Sequence, residues 1–265
     1  MSAIYQAYAP FYDGSGQIRF AVLMAHYLQE LLLLHPIAGR RALDLACGTG
    51  TLALLLADAG WDVVGVDASS DMLALAETKA VAQRSPGHAR FVQGDMRDFA
   101  GFLPPAAFEL VTCTYDSLNY LVTEGELAAC FAQVARALAP GGLFVADMNT
   151  RYFLEHDWDA ASVIESRGFV QIQQSHFDPA TACSAMVLTG FIGDDERGYT
   201  RFDETHIERA YPPETVAALL VHAGLHVETA YDCFTLLPVY ERSQRIAWVA
   251  RKVQNEEFKV KNENE

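Results

Sequence analysis

The sequence predicts an α/β fold in which a doubly wound parallel β-sheet carries an inserted antiparallel β region. Three observations support this prediction. Strand-like apolar runs alternate with helical periodicity after Pro36, two glycines follow the first of these runs, and strand-like patterning stands alone between about residues 150 and 210. Alternation of strands and helices favours a parallel sheet that is covered by helices on both faces.

The alternating part of the chain contains five predicted strands that are joined by crossovers. The strands are expected at residues 41–46, 62–67, 89–93, 108–114 and 142–148. Helices are expected at residues 51–59, 70–83 and 124–138. Because crossover connections make successive strands parallel, the carboxyl ends of these strands meet at one edge of the sheet.

The region between the fifth strand and the next helix has a different pattern. Short runs at residues 169–177, 183–192 and 199–211 alternate in the manner of strands. The turn signals Asp178-Pro179 and Gly193-Asp194-Asp195 separate them. This pattern predicts an antiparallel meander inserted into the sheet domain.

The last part of the chain returns to the sheet. A helix at residues 213–223 is expected to end at Gly224, and two closing strands follow at residues 227–236 and 245–251. The expected divisions are an N-terminal helical cap (1–36), the sheet domain (37–150 and 211–252), the β insertion (151–210) and a charged, disordered tail (253–265).

Composition restricts the class of protein. The five cysteines are odd in number and form no CxxC pair, which argues against a disulfide framework or a zinc knuckle. The sequence shows neither a signal peptide nor a membrane span, so a cytoplasmic location is expected. A net charge of −15 repels a phosphate backbone and argues against a nucleic-acid partner.

Two glycines lie where the first strand turns into a helix. Gly48 and Gly50, within the segment LDLACGTGTLA, permit a sharp turn and let a ligand contact the main chain. A G-x-G-x-x-A match alone is weak evidence, because it also fits a nicotinamide or flavin site, or a tight turn without a ligand.

Three acids lie at the ends of successive strands and distinguish between these ligands. Asp67 has the spacing at which a carboxylate accepts hydrogen bonds from ribose hydroxyls. Asp44 precedes the glycine loop, where a dinucleotide would place its anionic diphosphate, whereas S-adenosylmethionine would place a sulfonium and an ammonium there. Asp95 could accept from an adenine amino group while Met96 covers the ring, or it could cap a helix. The charges favour the methyl donor.

These residues resemble the class I S-adenosylmethionine-dependent methyltransferases up to about Lys252. The resemblance rests on LDLACGTG, GVDASSDML and QGDMRDF. The segments YAPFYD, TYDSLNYL, LAPGGLFVADMN and RSQRIAWVARK are similar to a bacterial small-molecule subgroup that includes sugar-amine N-methyltransferases. The resemblance implies a Rossmann-like, doubly wound seven-stranded sheet, mostly parallel with an antiparallel last strand, plus the antiparallel β insertion over the acceptor site.

The resemblance also implies roles for individual residues in binding the donor. Ala46, Gly48 and Gly50 would surround its methionine portion, and Asp67 would hold the ribose. Ala68 and Met72 would lie beside the adenine, with Asp95 and Met96 at the base. Tyr12 and Arg19 would approach the donor carboxylate, although Tyr12 could instead pack on the sheet.

The acceptor is expected beside the segment after the fourth strand. Thr114 to Tyr120 face the methyl group there, so Thr114 would contact the donor and Tyr115, Asp116, Asn119 and Tyr120 would bind the acceptor. Asp116 and Asn119 could instead cap the following turn. Related sugar N-methyltransferases have a histidine near the position of Tyr120, and this chain departs from that pattern.

A second candidate for the base lies in the insertion. Glu204, His206 and Glu208 alternate along one predicted strand and therefore share a face. They could form a solvated strand face, or His206 could act as the base; a metal site is a third alternative, and no metal is expected. The base is thus Tyr120, His206 or water.

The leading hypothesis is a methyltransferase that transfers the methyl group of S-adenosyl-L-methionine to N or O of a small metabolite and releases S-adenosyl-L-homocysteine. The in-line displacement requires the acceptor to be close and aligned. A non-catalytic S-adenosylmethionine-binding module and an NAD-dependent oxidoreductase are the alternatives. The expected partner is a small-molecule acceptor, and the expected state is a monomer or homodimer.

Overall fold

A computed structural model of the protein describes residues 4–99, 101–158, 161–166, 168–194 and 196–253. The helices are α1 (Ala9–Tyr12), α2 (Ile18–Leu34), α3 (Thr51–Asp58), α4 (Ser70–Ala82), α5 (Glu124–Ala137) and α6 (Pro213–His222). The strands of the larger sheet are β1 (Arg41–Leu45), β2 (Asp62–Asp67), β3 (His88–Gln93), β4 (Phe108–Cys113), β5 (Leu138–Asn149), β10 (Leu225–Asp232) and β11 (Arg245–Lys252). The smaller sheet contains β6 (Ala161–Ser166), β7 (Phe169–Asp178), β8 (Cys183–Asp194) and β9 (Gly198–Arg209).

The seven-stranded sheet has the order β10-β11-β5-β4-β1-β2-β3. Strands β1 to β5 pair in parallel, and β11 is antiparallel to both of its neighbours, β5 and β10. The fold class predicted from the sequence is therefore confirmed. The strand order reverses between β1 and β4, and ligands of open α/β sheets bind at such a switch point.

Local signals in the sequence determine where several helices begin and end. The Ser69 side chain accepts a hydrogen bond from Met72 N and so caps α4. Thr123 and Glu126 form a reciprocal capping box at the start of α5. Gly224, with φ of 85°, follows the end of α6 as predicted.

The two faces of the larger sheet have separate apolar cores. On one face, α2 packs with α3 through residues such as Leu28, Leu31 and Leu56. On the other face, α5 and α6 contribute fully or nearly fully buried residues, including Phe131 and Leu220. This packing fixes the strands, and with them the edge at which the predicted site residues lie.

The smaller sheet is an antiparallel meander in the order β6-β7-β8-β9. Three of its strands match the predicted runs, and β6 was not predicted. One predicted closing strand, at residues 227–236, was too long, because β10 ends at Asp232 and the chain then turns. The predicted tail lies outside the described residues from residue 254 onward.

An N-terminal segment, defined here as residues 4–17, packs on one face of the meander. The ring of Phe11 stacks on the buried ring of Phe169, with centroids 4.4 Å apart. Tyr8 stacks on the same ring at 6.0 Å. The segment thus joins the smaller sheet to the edge of the larger sheet.

Candidate functional site

The glycine loop turns the chain from β1 into α3 through left-handed backbone. The φ angle is 53° at Ala46, 54° at Gly48 and 74° at Gly50. A Cβ on Gly50 would lie 2.6 Å from the Phe91 ring, so close packing requires glycine there. A Cβ on Gly48 would meet no atom of the described chain within 4 Å. The main chain at Gly48 therefore borders space that a ligand can enter.

Asp67 lies at the carboxyl end of β2 and holds the loop. Its Oδ2 accepts from Gly48 N at 2.8 Å, and its Oδ1 accepts from Ser69 N at 2.8 Å. Burial raises the pKa of Asp67, while these main-chain donors lower it. Each oxygen keeps a lone pair that a ribose hydroxyl could use.

Asp44 is a buried acid with one unused oxygen. Its Oδ1 accepts from Thr112 Oγ1 at 2.7 Å, and within the described chain its Oδ2 has no hydrogen-bond partner. Burial raises the pKa of Asp44 to about 7, and the nearby charge of Asp67 also raises it. A cationic ligand group would stabilise this carboxylate, as the sulfonium and ammonium of S-adenosylmethionine would. The residues around the glycine loop thus fit that donor.

The residues predicted beside the adenine have mixed environments. The Asp95 carboxylate accepts from Arg97 N at 2.8 Å and from its guanidinium at 2.6 Å, which lowers the pKa of Asp95. Asp95 thus holds a turn at residues 95–98 and does not cap a helix, and its side chain remains 41% exposed. Met96 is half-buried, Met72 is buried in the first turn of α4, and Ala68 is exposed beside Asp67.

Tyr12 and Arg19 were predicted to approach the donor carboxylate. The Tyr12 ring packs edge-on against the rings of Tyr5 and Tyr8, with centroids 5.9 and 5.8 Å apart. Burial raises the pKa of Tyr12 well above its usual value, so its phenol stays neutral. Arg19 is exposed in the first turn of α2. The donor contacts of both residues stay predictions.

A different residue joins the N-terminal segment to the glycine loop. Lys79 Nζ lies 2.7 Å from Asp13 Oδ2, 2.9 Å from Thr49 Oγ1 and 3.0 Å from Thr51 Oγ1. Thr49 also donates to Asp13 Oδ1 at 2.6 Å. Lys79 was not predicted from the sequence, because 66 residues separate it from Asp13.

The predicted acceptor loop has a constrained main chain. Tyr115 and Asp116 have φ of 60° and 54°, which is unusual for two consecutive residues other than glycine. Their main-chain N–H groups donate to Asp147 at 2.7 and 3.0 Å. The Arg245 guanidinium binds both Asp147 and Asp116, the latter at 2.9 Å. Asp147 from β5 and Arg245 from β11 therefore fix this loop, and neither residue was predicted from the sequence.

Three predicted residues of this loop also make structural contacts. The Asn119 amide donates to the carbonyls of Asn149 and Arg209 and accepts from Asn149 N, so its donors are occupied. The Tyr115 ring stacks on Phe20 at 4.3 Å. Thr114 is buried. The Asn119 side chain thus bonds to the main chain of β5 and β9 and does not cap the following turn, and Asp116 makes no side-chain cap there either.

Tyr120 and His206 meet, although 86 residues separate them. The Tyr120 hydroxyl lies 3.0 Å from His206 Nδ1 and 2.9 Å from the Tyr5 hydroxyl. Burial and the charges of Glu208 and Asp116 raise the pKa of Tyr120 well above its usual value. Tyr120 is therefore a neutral phenol, which can pass a proton to His206 but does not itself serve as a phenolate base.

The expectation that Glu204, His206 and Glu208 form a solvated face of β9 is wrong. Glu204, His206 and Glu208 are 4%, 1% and 2% exposed, because this face of the meander packs against the N-terminal segment and the acceptor loop. Glu204 Oε2 lies 3.5 Å from His206 Nε2. Within the described residues, no group of three or more His, Cys, Asp or Glu side chains is arranged to hold a metal ion.

Buried acids outnumber buried cations next to Tyr120. Asn149 Nδ2 donates to Asp116 at 3.0 Å and to Glu208 at 2.8 Å, so one amide holds both carboxyls. Burial raises the pKa of Asp116 to about 6 and that of Glu208 well above its usual value. The positive charge of Arg245 lowers the pKa of Asp116, whereas the negative charge of Asp147 raises it further. The acceptor side therefore favours a ligand that brings positive charge.

A groove of about 530 Å³ opens beside this cluster at the ends of β5 and β10. Its lining includes Asn149 and Arg245 together with the rings of Phe20, Phe153 and Tyr240. Asn149 and Arg245 also contact Asp116, so the groove and the acid cluster share a wall. Within the described chain, no helix combines the length and apolar character needed to cross a membrane.

Comparisons with known proteins agree with this geometry. The profile of a family described as "Methyltransferase domain" matches residues 42–142. The YqeM protein of Bacillus subtilis (strain 168) is 30% identical to this chain over 254 residues. The alignment covers 94% of this chain and 97% of YqeM, which is named as a methyltransferase by provisional assignment.

An amino-sugar enzyme and a crystal structure are also similar to this chain. The dTDP-3-amino-3,6-dideoxy-alpha-D-glucopyranose N,N-dimethyltransferase of Streptomyces fradiae is 30% identical and aligns over 76% of each chain. The structure of an S-adenosylmethionine-dependent methyltransferase from Clostridium acetobutylicum ATCC 824 superposes with a TM-score of 0.81 at 28% identity, over 95% of this chain and all of that one. The fold and these similarities together show that the chain belongs to the class I S-adenosylmethionine-dependent methyltransferases, as an enzyme with S-adenosylmethionine as its cofactor.

Proposed function

We propose that the protein transfers the methyl group to a nitrogen or oxygen of a small metabolite, and that an amine nitrogen is the better fit. The main support for this proposal is the cluster formed by Asp116, Glu208 and the Tyr120–His206 pair. It lies at the carboxyl edge beside the donor residues and buries more acid than base. An ammonium would be stabilised there, whereas a neutral hydroxyl would gain much less from these charges.

On the donor side, residues of this chain would bind the methyl donor and orient it. Asp67 would hold the ribose hydroxyls, and Asp44 would stabilise the positive charge of the methionine portion. The donor, when bound, supplies a methyl group on a cationic sulfur that departs with its electron pair. The open main chain at Gly48 supports placement of the donor against the loop.

On the acceptor side, the residues would remove a proton and exclude water. An amine held by Asp116 must lose a proton before its lone pair can attack. In the proposed route the Tyr120 hydroxyl accepts this proton as it gives its own to His206 Nδ1, 3.0 Å away. Burial of the pair keeps competing water from the methyl group.

The groove beside Arg245 would admit the rest of the acceptor. Its aromatic lining suits a ring, and its volume suits a small metabolite. The Streptomyces fradiae relative is named for an amino-sugar nucleotide, which supports an amine-bearing ring as the acceptor class. The net charge of −15 supports a small acceptor over a nucleic acid.

A methyl-transfer screen with matched acceptors tests this proposal. The protein would be incubated with deuterium-labelled S-adenosylmethionine and pairs of compounds that differ only in an amine or a hydroxyl, amino sugars included. Mass spectrometry would then detect labelled product. We expect label on amines, and none when Asp116 is replaced by Ala. Label on hydroxyls in preference to their amine counterparts would contradict the amine assignment.

A further inference from the structure

Four residues form a closed cycle of contacts that joins the N-terminal segment to the proposed base. Tyr5 N donates to Glu204 Oε2 at 2.8 Å, and the same oxygen lies within ion-pair distance of His206 Nε2, at 3.5 Å, although this nitrogen has no hydrogen-bond partner in the described chain. His206 Nδ1 lies 3.0 Å from the Tyr120 hydroxyl, which lies 2.9 Å from the Tyr5 hydroxyl. Tyr5 therefore takes part twice, through its main chain and through its side chain.

Glu204 binds more of the N-terminal segment than Tyr5. Its Oε1 also accepts from Gln6 N at 3.2 Å and from Tyr8 N at 3.4 Å. Three main-chain N–H groups thus converge on one carboxylate that is 4% exposed. Such charge-assisted hydrogen bonds are stronger than neutral ones, and a buried donor that loses its partner is costly.

This cycle of contacts is also connected to the residues predicted to bind the methyl donor. Ser69 Oγ donates to the carbonyl of Tyr5 at 3.1 Å, and Ser69 N donates to Asp67 Oδ1 at 2.8 Å. Contacts therefore run from the ribose acid Asp67 through Ser69 and Tyr5 to Glu204. Tyr5 has a φ of 61°, a strained conformation that its partners on both sides maintain.

We infer that Glu204 is a positioning residue that couples occupation of the donor site to the alignment of His206. When the N-terminal segment is seated, Tyr5, Gln6 and Tyr8 fix one carboxylate, and that carboxylate fixes the imidazole ring that faces Tyr120. When the segment is displaced, Glu204 loses three partners and His206 loses its orientation. The part that concerns His206 rests on the proposed function; the part that concerns the donor site does not.

A matched pair of variants on β9 tests this inference. Glu204→Gln keeps the shape of the side chain but replaces one accepting oxygen with an N–H group that opposes the main-chain donors. Asp203→Asn removes one charge from the neighbouring residue, whose side chain is 46% exposed and faces away. Three measurements follow: amide hydrogen exchange of residues 5–8 by NMR, S-adenosylhomocysteine affinity by calorimetry, and kcat at saturating donor.

We expect Glu204→Gln to speed exchange of the Tyr5, Gln6 and Tyr8 amides about tenfold and to weaken S-adenosylhomocysteine binding about tenfold, as loss of a charge-assisted bond implies. It should also lower kcat, while Asp203→Asn behaves as wild type. Wild-type exchange and affinity in Glu204→Gln would overturn the inference. If no acceptor is methylated at all, the proposed function fails, but exchange and affinity still decide the role of Glu204.

Two further measurements apply even if Glu204→Gln does not fold. In the wild-type protein, S-adenosylhomocysteine should slow exchange of the same three amides, and unchanged exchange would overturn the coupling. Tyr5→Phe keeps the main-chain bond to Glu204 and removes only the hydroxyl near Tyr120. It should lower kcat at wild-type donor affinity. A loss of donor affinity in Tyr5→Phe would show that the link runs through the phenol and not through Glu204.

Discussion

At the scale of single residues, Asp44 is a buried acid whose predicted role in donor binding would come at the expense of stability. The residue is 2% exposed, and its Oδ2 lacks a partner in the described chain. Burial raises the pKa of Asp44 to about 7, so ionising it in the folded protein is unfavourable. A cationic donor bound beside Asp44 would offset that cost, which would account for an acid at this buried position.

Asp44→Asn should therefore stabilise the free protein and weaken the donor complex. Because the folded pKa lies above the unfolded one, stability from this group is complete below about pH 4 and is lost as the pH rises through 7. Near pH 8 the substitution should add up to about 4 kcal/mol, and less near pH 5. Thermal unfolding and calorimetry measure both effects; a variant that is destabilised near pH 8 and retains full affinity for S-adenosylmethionine would contradict this.

The location of a residue could be predicted from the sequence where it follows from the residue's position on a strand. Asp44, Gly48 and Asp67 lie at one edge because parallel strands end there. Lys79, Asp147 and Arg245 were not predicted, because their partners are distant in sequence. The wrong environment was also predicted for Glu204 and Glu208, because an alternating polar pattern does not show what packs on that face.

At the scale of elements, the contact between the N-terminal segment and the meander organises the acceptor side. Phe169 on β7 is 1% exposed and packs with the rings of Phe11 and Tyr8. Periodicity predicted β7, β8 and β9. It missed β6, a short edge strand that pairs only with β7, and it extended β10 into a turn at which Phe234 takes a φ of 64°.

Phe169→Ala should lower the free energy of unfolding by about 3–5 kcal/mol, because it removes a buried ring and leaves a cavity. It should also weaken S-adenosylhomocysteine binding, since the N-terminal segment loses its stacking partner. Val163→Ala on β6 is the control, because Val163 is 67% exposed. Urea denaturation compares the two variants. Equal losses of stability would show that the stacked rings contribute nothing beyond strand propensity.

At the scale of the whole molecule, topology brings two acidic environments to one edge. The acids predicted to bind the donor lie on β1 and β2, and the acids proposed for the acceptor lie in the loop after β4 and on β9. The order of elements along the chain predicted a parallel sheet, because crossovers leave few alternatives. It could not predict how the meander folds over that edge, which depends on contacts such as Asn119 with Arg209.

The most direct test of the account is calorimetric titration of S-adenosylhomocysteine into wild-type protein, Asp67→Ala and Asp62→Ala. Asp67 and Asp62 lie at opposite ends of β2, so both variants remove a carboxylate from the same strand. We predict one site, a loss of about 1.5–3 kcal/mol of binding free energy in Asp67→Ala, and wild-type affinity in Asp62→Ala. Unchanged affinity in Asp67→Ala, or binding of NAD in place of S-adenosylhomocysteine, would contradict this prediction.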